Sequence, residues 1–374
     1  MYLLEFVGEH DAFASCEATS AAGGIRPLAP GLATARGIDH ERVRGLAYTR
    51  RASSLVGHTD ASVESARTLL ETAPTDRTGT VAVRATDVRG STGVSTQRAE
   101  RELGAVLVER GFAVDLENPD HVLRAAFSEG VLEAGDGTGD LFEPARGVVT
   151  EDPSGERVSV CALGWLECES VRDFATRAPT DKPFFQPGSM DPPLARAVGN
   201  IAGAGPGRTI LDPMCGTGGV LVEAGLVGAV VIGTDAQTKM VRGARTNLRH
   251  YLAEDSPSPI GTRRGCWHVA RADAGRLPIR DDAVDGVVFD APYGRQSKIE
   301  RHRLEDLVRG ALEESARVAP RTVMVADRSW ASLAREAGWE LEAAFERRVH
   351  RSLTRHVLVL ASTCHDSYRS RPEP

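Results

Sequence analysis

The chain has 374 residues, 41% of them apolar, which suits two or three packed domains. No apolar run approaches the roughly 20 residues a membrane span needs, and Met1-Tyr2-Leu3-Leu4-Glu5 is no basic leader, so a cytoplasmic protein is expected rather than a secreted or membrane one. The formal net charge of −7 lies in residues 1–150, with 22 acids and 15 bases, against 30 of each in residues 151–374; bulk charge therefore argues mildly against a nucleic-acid partner, and only local patches would supply one.

In chain order, the first half reads as mixed α and β. Val81-Ala82-Val83-Arg84 has a strand pattern, and Arg98 to Arg110 a helical one, with Leu103, Val106 and Leu107 inward. Gly111 ends that helix, and Val114 to Pro119 is expected to continue as a strand closed by Asn118-Pro119. Residues 135–140 form a glycine-rich loop. Arg177 to Pro183, with two prolines, is expected as linker.

The second half alternates. Thr209-Ile210-Leu211 is a short strand, Val220 to Leu226 a helix, and Ala229 to Gly233 a second strand ending on Asp235. Met240, Val241, Ala244, Asn247, Leu248 and Tyr251 recur at helical spacing. Pro257 and Pro259 precede a strand near Cys266 to Val269, and Val284 to Phe289 runs into Asp290. Leu304 to Val318 is helical and Thr322 to Ala326 strand-like. Such alternation implies α/β architecture, a parallel sheet with helices on both faces and ligands beyond the carboxyl ends of its strands. Asp212, Asp235, Asp273 and Asp290 all fall at such ends. The tail from Ser367 is expected to be disordered.

Two motifs carry chemistry. Asp212-Pro213-Met214-Cys215-Gly216-Thr217-Gly218-Gly219 is a glycine-rich turn between strand and helix. Its glycines let backbone approach a ligand, and the helix behind it offers unpaired N–H groups. It matches neither G-x-G-x-x-G nor a P-loop, since no lysine follows the glycines. An Asp212 carboxylate suits the cationic amino-acid end of S-adenosylmethionine better than a pyrophosphate. Asp235, 23 positions on, is placed for ribose hydroxyls, or else caps the helix beginning near Gln237. Asp273-Ala274 offers a carboxylate to the adenine amine.

The second motif is Asp290-Ala291-Pro292-Tyr293-Gly294. An exocyclic base amine is a poor nucleophile because its lone pair is delocalised into the ring. Two acceptors on its N–H groups, the Asp290 carboxylate and the Ala291 carbonyl, draw the nitrogen toward tetrahedral geometry. Pro292 fixes the turn and Tyr293 stacks on the base. Methyl transfer to a nucleobase nitrogen follows, driven by positioning and fixed dipoles. Cys215 is the rival, since methylation at base carbon needs a cysteine nucleophile; inside the glycine turn it is read instead as a small buried residue. The six cysteines are scattered, without Cys-x-x-Cys, so neither zinc nor disulfides are expected.

The two motifs together resemble those of the Rossmann-like amino methyltransferases. Thr80 to Ala85, Glu100 to Gly104 and Val114 to Pro119 look like a THUMP domain. Phe184-Phe185-Gln186-Pro187-Gly188-Ser189-Met190, with Leu194-Ala195-Arg196, is similar to the segment preceding the catalytic domain of archaeal tRNA guanosine-10 N2-dimethyltransferases and their eukaryotic relatives. The resemblance covers roughly residues 45 to 360 and implies a division into residues 1–45 (ferredoxin-like), 46–165 (THUMP-like), 166–188 (linker), 189–362 (methyltransferase) and a tail. It implies an N-terminal region gripping tRNA and a catalytic domain receiving a flipped guanine, with S-adenosylmethionine as cofactor and a monomer favoured. Cofactor residues carry over to Asp212, Gly216, Gly218, Asp235 and Asp273, with Pro213, Cys215, Thr217, Ala236 and Ala274 beside them; Pro187 and Gly188 border the methionine end. Catalytic residues carry over to Asp290, Pro292 and Tyr293. The family usually has proline where this chain has Ala291, from which a looser turn is expected. Open alternatives are a ribosomal RNA or DNA amino methyltransferase and an RNA-binding protein with a vestigial catalytic half.

Overall fold

A computed structural model describes residues 1–132, 156–253, 260–261, 264–292, 301–350 and 353–362. The described residues up to Ser170 form one unit, and those from Val171 onward a second.

The first unit runs β1 (Tyr2–Phe6), α1 (Asp11–Ala18), β2 (Ala22–Gly23), β3 (Arg26–Ala29), β4 (Leu32–Ala35), β5 (Gly37–Ile38) and α2 (His40–Arg44). It continues with β6 (Thr49–Thr59), α3 (Val63–Thr72), β7 (Thr80–Asp87), α4 (Thr96–Glu109), β8 (Ala113–Val114), β9 (His121–Leu132) and β10 (Glu156–Glu169). One eight-stranded sheet, ordered β3-β4-β1-β6-β10-β9-β7-β8, carries strands from both sides of residue 45. The pairs of β7 with β8 and β9 are parallel, the rest antiparallel. α4 forms where its pattern places it: the Ser95 hydroxyl caps the Arg98 N–H at 3.3 Å, and Ala99, Leu103, Val106 and Leu107 are buried. The expected strand over 114–119 is not there beyond Val114. Asp115 Oδ1 accepts from the Glu117 and Asn118 N–H groups, each at 2.9 Å, and this side-chain turn curls the backbone away from the sheet. The 135–140 loop and the tail from Ser367 lie outside the described residues.

The second unit opens with residues first read as linker. β10 takes the chain to Glu169, and 3₁₀ turns cover Phe174–Arg177 and Pro179–Asp181. Arg177 is buried, with its guanidinium 2.7 Å from Glu223 and from Asp173. Next come α5 (Pro192–Ile201), β11 (Thr209–Asp212), α6 (Gly219–Leu226), β12 (Val230–Asp235), α7 (Thr238–Tyr251), β13 (Trp267–Arg271) and β14 (Gly286–Asp290). α8 (Arg301–Val318), β15 (Arg321–Ala326), α9 (Ala331–Glu336), β16 (Trp339–His350) and β17 (Leu353–Ser362) complete it. The sheet order is β13-β12-β11-β14-β15-β17-β16. The first five strands are parallel, and β17 enters antiparallel between β15 and β16. This is the expected Rossmann-like α/β sheet. Leu211, Val287, Phe289 and Met324 of the strands pack with Val308, Ala311 and Leu312 of α8 in one apolar core. Because β12 and β14 flank β11 on opposite sides, the chain reverses direction across the sheet at β11, where such folds bind ligands.

Candidate active site

The glycine turn is built by backbone bonds together with the side chains of Asp212 and Thr234. β11 ends on Asp212, whose Oδ1 accepts from the Met214 N–H at 3.0 Å. Thr234 of β12 donates its hydroxyl to the Pro213 carbonyl at 3.0 Å, and its own carbonyl accepts from the Cys215 N–H at 2.9 Å. Gly218 closes the turn with its N–H on the Cys215 carbonyl at 2.7 Å. Gly216 and Gly218 have φ of 51° and 77°, the left-handed region that favours glycine. A Cβ at Gly218 would also sit 3.3 Å from that of Ala244 on α7, which fixes how closely helix and turn pack.

Asp212, Asp235 and Asp290 end three neighbouring parallel strands. Asp235 Oδ2 accepts from the Gly216 N–H at 3.1 Å, and its Oδ1 from the Gln237 N–H at 2.8 Å. One carboxylate thus ties the N-cap residue of α7 to the glycine turn, while the first turn of α7 itself carries no side-chain cap. Asp212 is buried, 3% exposed. Burial pushes its carboxyl well above the usual range, and the charges of Asp235 and Asp290 push the same way against the Met214 N–H bond. Burial and the charges of Asp212 and Asp235 also raise the Cys215 thiol far above its ordinary value, which keeps it protonated and a poor nucleophile. Asp273 is exposed and accepts from the Gly275 N–H at 2.9 Å, while Ala274 is buried in the core behind it. Ala236 is exposed, and its carbonyl accepts from Arg271 at 2.9 Å.

At the end of β14 the first peptide of the second motif is hydrogen-bonded into the sheet. The Ala291 N–H donates to the Val325 carbonyl at 2.8 Å, a bond proline lacks the hydrogen to make, so the first peptide after Asp290 stays in the ladder with β15. Pro292 follows and is partly buried; Tyr293 and Gly294 lie outside the described residues.

Two residues outside the motifs organise the site. Arg355 of β17, 2% exposed, has Nη2 at 3.8 Å from Asp290 Oδ2 and donates to the Gly188 carbonyl at 3.1 Å. It also lies 3.8 Å from Asp191, so one guanidinium links the Gly188–Asp191 segment to the end of β14. Pro187 and Gly188 are themselves exposed, and Ser189 Oγ sits 3.3 Å from Thr217 Oγ1. Asn247 of α7, fully buried, accepts from the Phe184 N–H at 2.9 Å and donates to the Phe184 and Thr217 carbonyls at 2.8 Å each. That amide clamps residues 184–190 onto the glycine turn. Periodicity marks Asn247 only as an inward position, where a buried amide among apolar neighbours is the one available signal. Arg355 lies in a run with Arg347, Arg348 and Arg351, which gives it none.

The donor set fits a ligand rich in cationic and hydroxyl groups. A deeply buried carboxylate with one N–H partner, a second at the head of α7 and a third partly exposed at β14 suit an ammonium, a ribose and an amine. Among the described residues no group of three His, Cys, Asp and Glu side chains is arranged to hold a metal ion, and no helix is long and apolar enough to cross a membrane.

A family model described as UPF0020, RMKL-like methyltransferase domain, matches residues 179–357. The chain is 33% identical over 272 residues to the tRNA (guanine(10)-N2)-dimethyltransferase of Methanothermobacter thermautotrophicus, covering 71% of this chain and 69% of that protein. It is 27% identical over 285 residues to the protein of that name from Pyrococcus abyssi, covering 75% of this chain and 74% of the relative. Among solved structures it is similar to TrmN from Thermus thermophilus, at 22% identity and a TM-score of 0.44 over 96% of this chain and 99% of the other.

Proposed function

This chain belongs to the tRNA (guanine(10)-N2)-dimethyltransferase family, and from that membership we propose that it methylates the exocyclic N2 amine of guanosine 10 in tRNA, once and then again, with S-adenosylmethionine as cofactor. The observation that supports this best is the convergence of Asp212, Asp235 and Asp290 at the ends of adjacent strands around one glycine turn. The cofactor supplies an electrophilic methyl group on a sulfonium sulfur. Asp212 holds its ammonium, Asp235 its ribose hydroxyls, and Asp273 its adenine amine. Gly216 and Gly218 let the turn come close.

Asp290 and the Ala291 carbonyl each accept an N–H of the guanine amine, which localises the nitrogen lone pair and aims it. The Ala291 N–H bond to the Val325 carbonyl fixes the Asp290–Ala291 peptide, which precedes that carbonyl's own peptide. Arg355 stands 3.8 Å behind Asp290, a cation facing the carboxylate and holding its orientation. The surplus proton of the methylated amine passes to an Asp290 carboxylate oxygen. Tyr293 stacks on the base, and residues 46–165 act as the THUMP-like domain that grips the tRNA. The site of action is the cytoplasm.

Incubating the protein with unmodified tRNA and methyl-labelled cofactor, then digesting to nucleosides, is expected to give labelled N2-methyl- and N2,N2-dimethylguanosine. Label on adenine, or preferential label on ribosomal RNA or DNA in competition, contradicts the assignment. No transfer together with no cofactor binding would favour an RNA-binding protein with a vestigial catalytic half.

A further inference from the structure

Helix α7 is charged in one sense only. Its 14 residues include Lys239, Arg242, Arg245 and Arg249, and neither aspartate nor glutamate. At about 3.6 residues per turn these four fall, with Thr246 and His250, on an exposed arc opposite the buried Val241, Ala244, Asn247 and Leu248. Other helices answer their arginines within one turn: Arg67 meets Glu71 in α3, Arg98 meets Glu102 in α4, and Arg309 and Arg317 meet Glu305 and Glu314 in α8. On α7 the neighbours one turn apart are Lys239 and Arg242, Arg242 and Arg245, and Arg245 and Arg249, like charges at spacings that destabilise a helix. Lys239 also stands in the first turn, where the helix dipole opposes a cation and no acidic residue offsets it.

Little within the unit relieves this repulsion. Arg245 donates to the Val269 carbonyl at 2.6 Å, and the Lys239 ammonium lies 5.9 Å from the centre of the Phe184 ring. Arg242 and Arg249 make neither an ion pair nor a side-chain hydrogen bond among the described residues. The inner side of the same helix builds the site. Asp235 holds the Gln237 N–H at its head, and Asn247 bonds Phe184 and Thr217. The cationic arc, about 15 Å long from Lys239 to Arg249, therefore rides on the element that holds the glycine turn.

A surface that repels itself gains most from a partner carrying a row of negative charges, and phosphates are the anions arginine binds best. We propose that the exposed face of α7 binds the phosphodiester backbone of the RNA substrate, which gives the catalytic unit its own hold on the strand that carries the target base. The inference rests on the proposed function and deepens it by naming a surface. The balanced charge of residues 151–374 conceals that surface, because every acid in this half lies outside α7.

The test is binding of unmodified tRNA across a salt series to the intact chain and to three double variants. Arg242→Gln with Arg249→Gln removes two charges from the arc, and Arg242→Lys with Arg249→Lys keeps them. Arg280→Gln with Arg335→Gln makes the same charge change at exposed residues on the segments leading into β14 and β16. The α7 glutamine pair is expected to bind tRNA about tenfold more weakly at low salt, with the slope of log affinity against log salt flattened by about 1 to 2. Its affinity for S-adenosylhomocysteine, and its transfer rate at saturating tRNA, should match wild type. The lysine pair and the distant glutamine pair should bind tRNA as wild type does. An α7 glutamine pair with wild-type affinity and slope overturns the proposal, as does a distant pair that weakens tRNA equally or an α7 pair that loses cofactor affinity in step. A wild-type tRNA affinity indifferent to salt overturns it without any variant. Wild type that binds tRNA through α7 yet transfers no methyl group would instead overturn the proposed function and leave this surface standing.

Discussion

Asp212 is a carboxylate taken out of water with one backbone N–H for company, and its proton is correspondingly hard to remove. Its folded pKa lies above the unfolded value of about 4. Its contribution to stability is thus complete below that value and is lost as pH rises through the raised folded pKa. A bound ammonium reverses the preference, because it pairs with the ionised form. Cofactor affinity should therefore tighten with rising pH across the window in which the cofactor-free protein loses stability. Calorimetry and thermal melts over about pH 4 to 8 test this: wild type should show both trends, and Asp212→Asn should flatten them and bind about tenfold more weakly. A wild-type dissociation constant indifferent to pH would contradict it. At this scale the carboxylates were legible because each follows a short apolar strand. Arg355 was not, since it pairs with Asp290 from 65 positions further along the chain, and nothing local distinguishes it from the arginines around it. The bracing of Ala291 by Val325 depends on the neighbouring strand and is equally invisible in the motif.

Between elements, the joint that matters is Asn247. One amide carries three hydrogen bonds from α7 to Phe184 and Thr217, in a site closed to water. Asn247→Ala strands those backbone groups, and a loss of about 2–4 kcal/mol is expected in denaturant unfolding. Cofactor binding should weaken beyond what that loss explains, because residues 184–190 lose their anchor on the glycine turn. Unchanged midpoint and unchanged affinity would show the clamp to be dispensable. The parallel strands and their helices were legible because apolar runs and helical periodicity alternate cleanly between Thr209 and Ala326. The β16–β17 hairpin was not: its arginines interrupt the apolar alternation that would announce it. Val114 to Pro119 failed for the opposite reason, an apolar alternation overruled by one aspartate side chain bonding its own backbone.

Over the whole molecule, the −7 charge sits in residues 1–150, the region proposed to grip tRNA, while residues 151–374 are balanced. Composition thus obscured the partner that the motifs suggested, and only family membership and the strand-end carboxylates bring the two halves under one activity. That activity depends on Asp290 acting on an amine beside a separately bound cofactor. The most direct measurement is single-turnover methyl transfer to unmodified tRNA by Asp290→Ala at saturating cofactor, with cofactor affinity measured on the same preparation. Transfer is expected to vanish while affinity stays within about a few-fold of wild type. Transfer near the wild-type rate, with the cofactor still bound, would contradict the account.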